Sequence, residues 1–140
     1  MSNMSFREKS AWISFVLILA LAIVYFGRIV AEVRFHSHDW PPLFPALVGA
    51  VIVLEAALHL ALRTRAPEDA RTPRDEREQM IALKAKSVSY PVLAIAAFGA
   101  IGTVHLGASK WDLMQAVLLA IVVGELSKFG AEIVYFRRGV

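Results

Sequence analysis

AWISFVLILALAIVYFG, residues 11–27, runs for seventeen positions without a charged side chain. No alternation of polar and apolar residues marks out a solvated face, so this is the pattern of a helix with oil on every side. Three further stretches share its character: 43–62, 88–106 and 113–136. Each is close to the roughly 20 residues that a helix needs to cross a bilayer. A backbone in lipid must satisfy its own hydrogen bonds, which leaves only helices or closed barrels. The expectation is an all-α, four-transmembrane-helix bundle forming a single integral membrane domain over 1–140. Its spans fall at about 10–31, 43–63, 74–107 and 112–137, with a connection over 64–87 whose later part is a helical extension leading into helix three.

Composition agrees. Of 140 residues 57% are hydrophobic and 19% charged, against about 45–50% and about 25% in a soluble domain. The chain has no cysteine, which excludes disulfides, thiolate metal sites and thiol nucleophiles. Its sequence pI of about 9.5 reflects basic flanks rather than a nucleic-acid surface, and no DNA- or RNA-reading motif is present. Arg7, Lys9, Arg63, Arg65, Arg71, Arg74, Arg77, Lys84, Lys86, Arg137 and Arg138 lie on one side of a four-span topology, against Arg28, Arg34 and Lys110 on the other. The positive-inside rule therefore predicts cytoplasmic termini and a cytoplasmic middle connection. The first apolar run is longer than the h-region of a signal peptide, and Arg28 stands where small residues are wanted, so an uncleaved anchor is expected.

Local signals refine the elements. Trp40, Pro41, Pro42 and Pro45 read as an interfacial turn into helix two. Thr72, Pro73, Asp75 and Glu76 read as an N-cap, a first-turn proline and first-turn acids. Pro91 is expected to bend helix three. Gly107 to Asp112 reads as a short outer turn, with Lys110 and Trp111 as interfacial anchors.

The residues with chemical potential are those that lipid should exclude. Glu55 and His59 are four apart on helix two. Glu125, Lys128 and Glu132 are three and four apart on helix four, and Glu55 and Glu125 fall at matching depths. An ionised side chain at the bilayer centre costs about 2.5 to 3.5 kcal/mol on the insertion scale, so such groups face inward and pair. Lys128 is expected to neutralise Glu125 or Glu132, with Glu55 and His59 opposite them. An ion-pair network that fixes register is weighed against proton or ion handling and against Lys128 and Glu132 reaching the interface. Ala116, Ala120 and Gly124 recur every four residues, as Gly99 and Thr103 do on helix three; this serves close packing within the bundle or between two copies. His36, Ser37, His38 and Asp39, with Glu32, have donor atoms but no specific metal spacing, and no cofactor is expected. Nucleophile elbows and phosphate loops are lacking, so no enzymatic activity is expected. Asp75, Glu76, Arg77 and Lys84 form a charged segment suited to a cytoplasmic or membrane protein partner.

Ser5 to Trp12, Asp75-Glu76-Arg77 followed by Ile81, Lys84 and Ala85, and Gly124-Glu125-Leu126 through Tyr135-Phe136-Arg137-Arg138 resemble a group of small bacterial membrane proteins with no assigned function. That resemblance implies four helices in the inner membrane and no known activity. Members of the group are sometimes encoded beside small helix-turn-helix regulators, which implies a cytoplasmic partner. Pro42 to Gly49 is similar, more weakly, to the start of helix two in the small membrane subunit of tripartite tricarboxylate transporters; this implies a transporter or an accessory subunit as the alternative function.

Overall fold

A computed structural model describes residues 5–35, 43–65 and 75–139. Among them lie four α-helices and no strand: α1 (Phe6–Phe35), α2 (Leu43–Arg65), α3 (Glu76–His105) and α4 (Lys110–Arg138). His36, Ser37, His38, Asp39, Trp40, Pro41, Pro42, Thr72 and Pro73 lie outside the described residues, as does the side chain of Glu32.

Polar caps set the helix ends. Ser5 caps α1, its Oγ accepting from the Glu8 amide at 3.1 Å. The expected N-cap at Thr72 gives way to Asp75, whose backbone is extended (φ −62°, ψ 153°) and whose carboxylate accepts from the Glu76 amide at 2.8 Å. A residue with that ψ cannot belong to the helix, so α3 begins immediately after it. It then runs through Pro91 to His105 without interruption. The turn to α4 is shorter than expected. Gly107 takes φ +82°, and Ser109 and Asp112 form a capping box in which Ser109 Oγ and N donate to Asp112 Oδ2 at 2.8 and 2.9 Å. The hydroxyl bond first and the amide bond second hold the Asp112 carboxyl below its ordinary range. Lys110 and Trp111 thus belong to the first turn of α4 rather than to the loop.

Packing is most extensive between α3 and α4, followed by α1 with α4 and α1 with α2. Neighbours joined by short connections run antiparallel, and the termini of the bundle meet at one end: Arg7 Nε lies 3.8 Å from Glu78, and Arg137 Nε 3.9 Å from Glu8. Small residues are among the buried positions of both helices. Ala85 and Ala100 are buried on one helix and Ala120 and Gly124 on the other. A methyl group on Gly124 would sit 3.1 Å from both Cβ and Cδ1 of Leu93, so this glycine lets the two backbones approach. Gly124, the last of the row Ala116-Ala120-Gly124, therefore serves packing within the chain.

The outside of the bundle is apolar. Phe98, Ile95, Val53 and Ile23 are 75, 73, 68 and 65% exposed. Two helices, α1 over Phe6–Ala31 and α3, are long and apolar enough to cross a membrane, and only 11% and 6% of their apolar windows are buried.

Candidate functional site

Two serines and two ionisable residues meet along the α1–α2 seam. Ser10 and Ser14 stand four apart on α1, Glu55 and His59 four apart on α2, so each pair projects from one face of its helix. Because the helices are antiparallel, Ser10 faces His59 and Ser14 faces Glu55. Ser10 Oγ is 3.2 Å from His59 Nδ1, Ser14 Oγ is 3.1 Å from His59 Nε2, and the Ser14 hydroxyl donates to Glu55 Oε1 at 2.9 Å. Ser14 is 1% exposed, whereas the Glu55 and His59 side chains are each 32% exposed. His59 Nε2 and Glu55 Oε1 are 3.7 Å apart, beyond hydrogen-bond reach, so the coupling between them passes through Ser14.

A hydroxyl has one hydrogen to give. Since Ser14 gives its hydrogen to Glu55, it can only accept from His59, which assigns the proton of a neutral imidazole to Nε2. Nδ1 is then an acceptor, and Ser10 is its donor. The four residues form a directed chain from Ser10 through His59 and Ser14 to Glu55.

The α4 residues lie elsewhere. Lys128 Nζ pairs with Glu125 at 2.8 Å and sits 4.3 Å from the centre of the Phe129 ring. Lys128 and Glu132 line a cleft of about 190 Å3 together with Arg7, Ser10, Glu78 and Phe136. Glu55 and His59, expected opposite Glu125, Lys128 and Glu132, have Ser10 and Ser14 as their hydrogen-bond partners, while Lys128 and Glu132 share the cleft that Ser10 lines. The reason is helix order: α2 packs chiefly on α1, and α1 packs on α4, so the polar partners of α2 are the α1 serines. Sequence reading passed over Ser10 and Ser14. Their signal was two hydroxyls at four-residue spacing near the start of an otherwise apolar helix, matching the spacing of Glu55 and His59.

At the charged end, the segment read as partner-binding is partly occupied by its own chain. Asp75 caps α3, and the Arg77 guanidinium donates to the Phe136 carbonyl at 3.4 Å, where the negative end of α4 favours a cation. Glu76 is exposed and Lys84 half-buried. Arg137 also lies 5.5 Å from the centre of the Trp12 ring, which ties the ends of α1 and α4 together.

Among the described residues no three or more His, Asp or Glu side chains come together as a metal-binding group. Comparison with known protein families, curated proteins and solved structures finds no match to this chain.

Proposed function

We propose that this chain is a multi-pass protein of a bacterial cytoplasmic membrane, with four helices crossing and both termini cytoplasmic, and that it acts as a non-catalytic interaction or regulatory module. The observation that carries the reading is the division of its surface. Large apolar side chains such as Phe98, Ile95, Val53 and Ile23 face outward along the helices, while Arg7, Glu8, Arg77, Glu78 and Arg137 gather at one end. A water-soluble monomer rarely exposes contiguous apolar patches beyond a few hundred Å2; in lipid the same surface costs nothing.

The end that carries the charges is the end that meets a partner. Asp75 caps α3 and Arg77 ties it to α4, and Glu76 and Lys84 carry further charge on α3. Alkaline carbonate extraction and reporter fusions at both termini test the membrane placement. Co-purification from native membranes tests the module: a protein captured by the wild type and lost with Glu76→Arg supports it, and an unchanged set of captured proteins overturns it.

The Ser10–His59–Ser14–Glu55 chain favours a second reading, a small transporter or accessory subunit of one. Ion or substrate flux in proteoliposomes that disappears with Glu55→Gln is its expected signature, and flux indifferent to that substitution removes it.

A further inference from the structure

We propose that Ser10, His59, Ser14 and Glu55 form a proton relay that loads and unloads the Glu55 carboxylate from the cleft at the charged end of the bundle. Each link is within hydrogen-bond reach, at 3.2, 3.1 and 2.9 Å. Ser10 belongs to both features: it lines the cleft and its hydroxyl meets His59. The cleft volume of about 190 Å3 is ample for ordered water, which needs only about 10 to 15 Å3. Here donors and acceptors continue, in order, from a water-accessible cleft to the carboxylate.

The transfer balances at every station. A hydronium in the cleft gives a proton to Ser10 Oγ and is left as water while Ser10 gives its own hydroxyl hydrogen to Nδ1; His59 releases its Nε2 hydrogen to Ser14 Oγ; Ser14 passes its own hydrogen to Glu55 Oε1. One bond to hydrogen breaks and one forms at Ser10, at His59 and at Ser14, while at the carboxylate one forms and at the hydronium one breaks. Glu55 ends neutral, His59 ends in the Nδ1–H tautomer, and release runs the same steps backward. Imidazole suits the central position because it accepts at one nitrogen while it donates from the other. From α1 the groups facing His59 and Glu55 are Ser10 and Ser14. The ionisable groups of the other helices meet the chain across the cleft: Glu78 of α3 and Lys128 and Glu132 of α4, with Arg7 of α1, while Glu125 is held by Lys128.

The relay rests on the membrane placement proposed above, since lipid around α2 is what denies Glu55 direct access to water. The test uses full-length protein in liposomes, with flotation as the check on insertion. Infrared spectroscopy after a pH jump follows the protonated carboxyl band that Glu55→Gln removes, and 15N signals of His59, assigned with His59→Gln, follow its tautomer. In the wild type the band and the tautomer are expected to change at one rate. Ser14→Ala is expected to slow both by at least about 100-fold, the scale of a positioned proton-transfer group, and Ser14→Thr to retain the wild-type rate. If the alanine variant does not fold, Ser14→Cys, a weak donor of similar size, is expected to slow both in the same way. Protein that co-floats but loads Glu55 at an unchanged rate without Ser14, or with a His59 tautomer that does not follow, overturns the relay alone. Protein that does not float with the vesicles overturns the membrane placement and the relay with it.

Discussion

Ser14 of α1 stands between the two ionisable groups of α2, 3.1 Å from His59 Nε2 and 2.9 Å from Glu55 Oε1, so a residue with no charge couples two that do not touch. Ser10, by contrast, meets His59 alone. Removing the hydroxyl of Ser14 therefore takes a hydrogen bond from two half-buried partners, and removing that of Ser10 takes one from a single partner. A buried group left unsatisfied costs about 1–3 kcal/mol, and a half-buried one less. Ser14→Ala is expected to lower the thermal midpoint in detergent more than Ser10→Ala does. Equal shifts would contradict the central place of Ser14.

Gly124 and Gly102 supply a matched pair of substitutions on the two helices of the main seam. A Cβ at Gly124 meets Leu93 at 3.1 Å, whereas one at Gly102 meets nothing within 4 Å. Overpacking a well-fitted seam costs about 1–3 kcal/mol, and an unhindered Gly→Ala change inside a helix stabilises by roughly 0.5–1 kcal/mol. Gly124→Ala is expected to destabilise the chain and Gly102→Ala to be neutral or stabilising, as read from unfolding midpoints. A harmless Gly124→Ala would mean that α3 and α4 can move apart at no cost.

Four helices and their approximate bounds are legible in the chain because length, apolar runs and capping residues are local properties. The order of packing is not. Helices that are apolar on nearly every face have no stripe to say which neighbour each will meet, so the expectation that placed Glu55 and Glu125 at matching depths could not say which residues each would bond. Which helix lies beside α2 decides instead that Glu55 meets Ser14. The ionisable residues of the site are conspicuous in the sequence because they conflict with an apolar surrounding; Ser10 and Ser14 are not, because a serine in a helix can bond its own preceding turn.

Lys128 and Glu125 pair at 2.8 Å, with Lys128 on the wall of the cleft. Their side chains are 27% and 44% exposed, which in water would make the pair a minor contribution. In lipid the unpaired charge costs about 2.5 to 3.5 kcal/mol. With α4 in the membrane, as proposed above, Lys128→Met is expected to destabilise the protein by up to that amount, and Lys128→Met with Glu125→Leu to restore most of the loss. A double variant no better than the single one would show that Glu125 finds water or another cation.

The capping box at the start of α4 predicts a pH dependence with a defined sign. Hydrogen bonds from the Ser109 hydroxyl and then from its amide lower the Asp112 pKa in the folded chain. A depressed folded value means that the unfolded chain takes up the proton first as pH falls. The stabilisation is thus fully present above the unfolded value and is lost progressively as pH falls through the folded one. Amide exchange at Asp112 and Leu113 is expected to accelerate, beyond the intrinsic change with pH, only on entering the acid range below ordinary carboxylate titration. Ser109→Ala removes both the hydroxyl that donates to Asp112 and the acceptor for the Asp112 amide at 3.3 Å. In that variant exchange at this helix start should already be fast at neutral pH, with little further acceleration on acidification. If the variant keeps the full wild-type acid response, the carboxylate is held by the amide of residue 109 or by another group, and the Ser109 hydroxyl is not what lowers it.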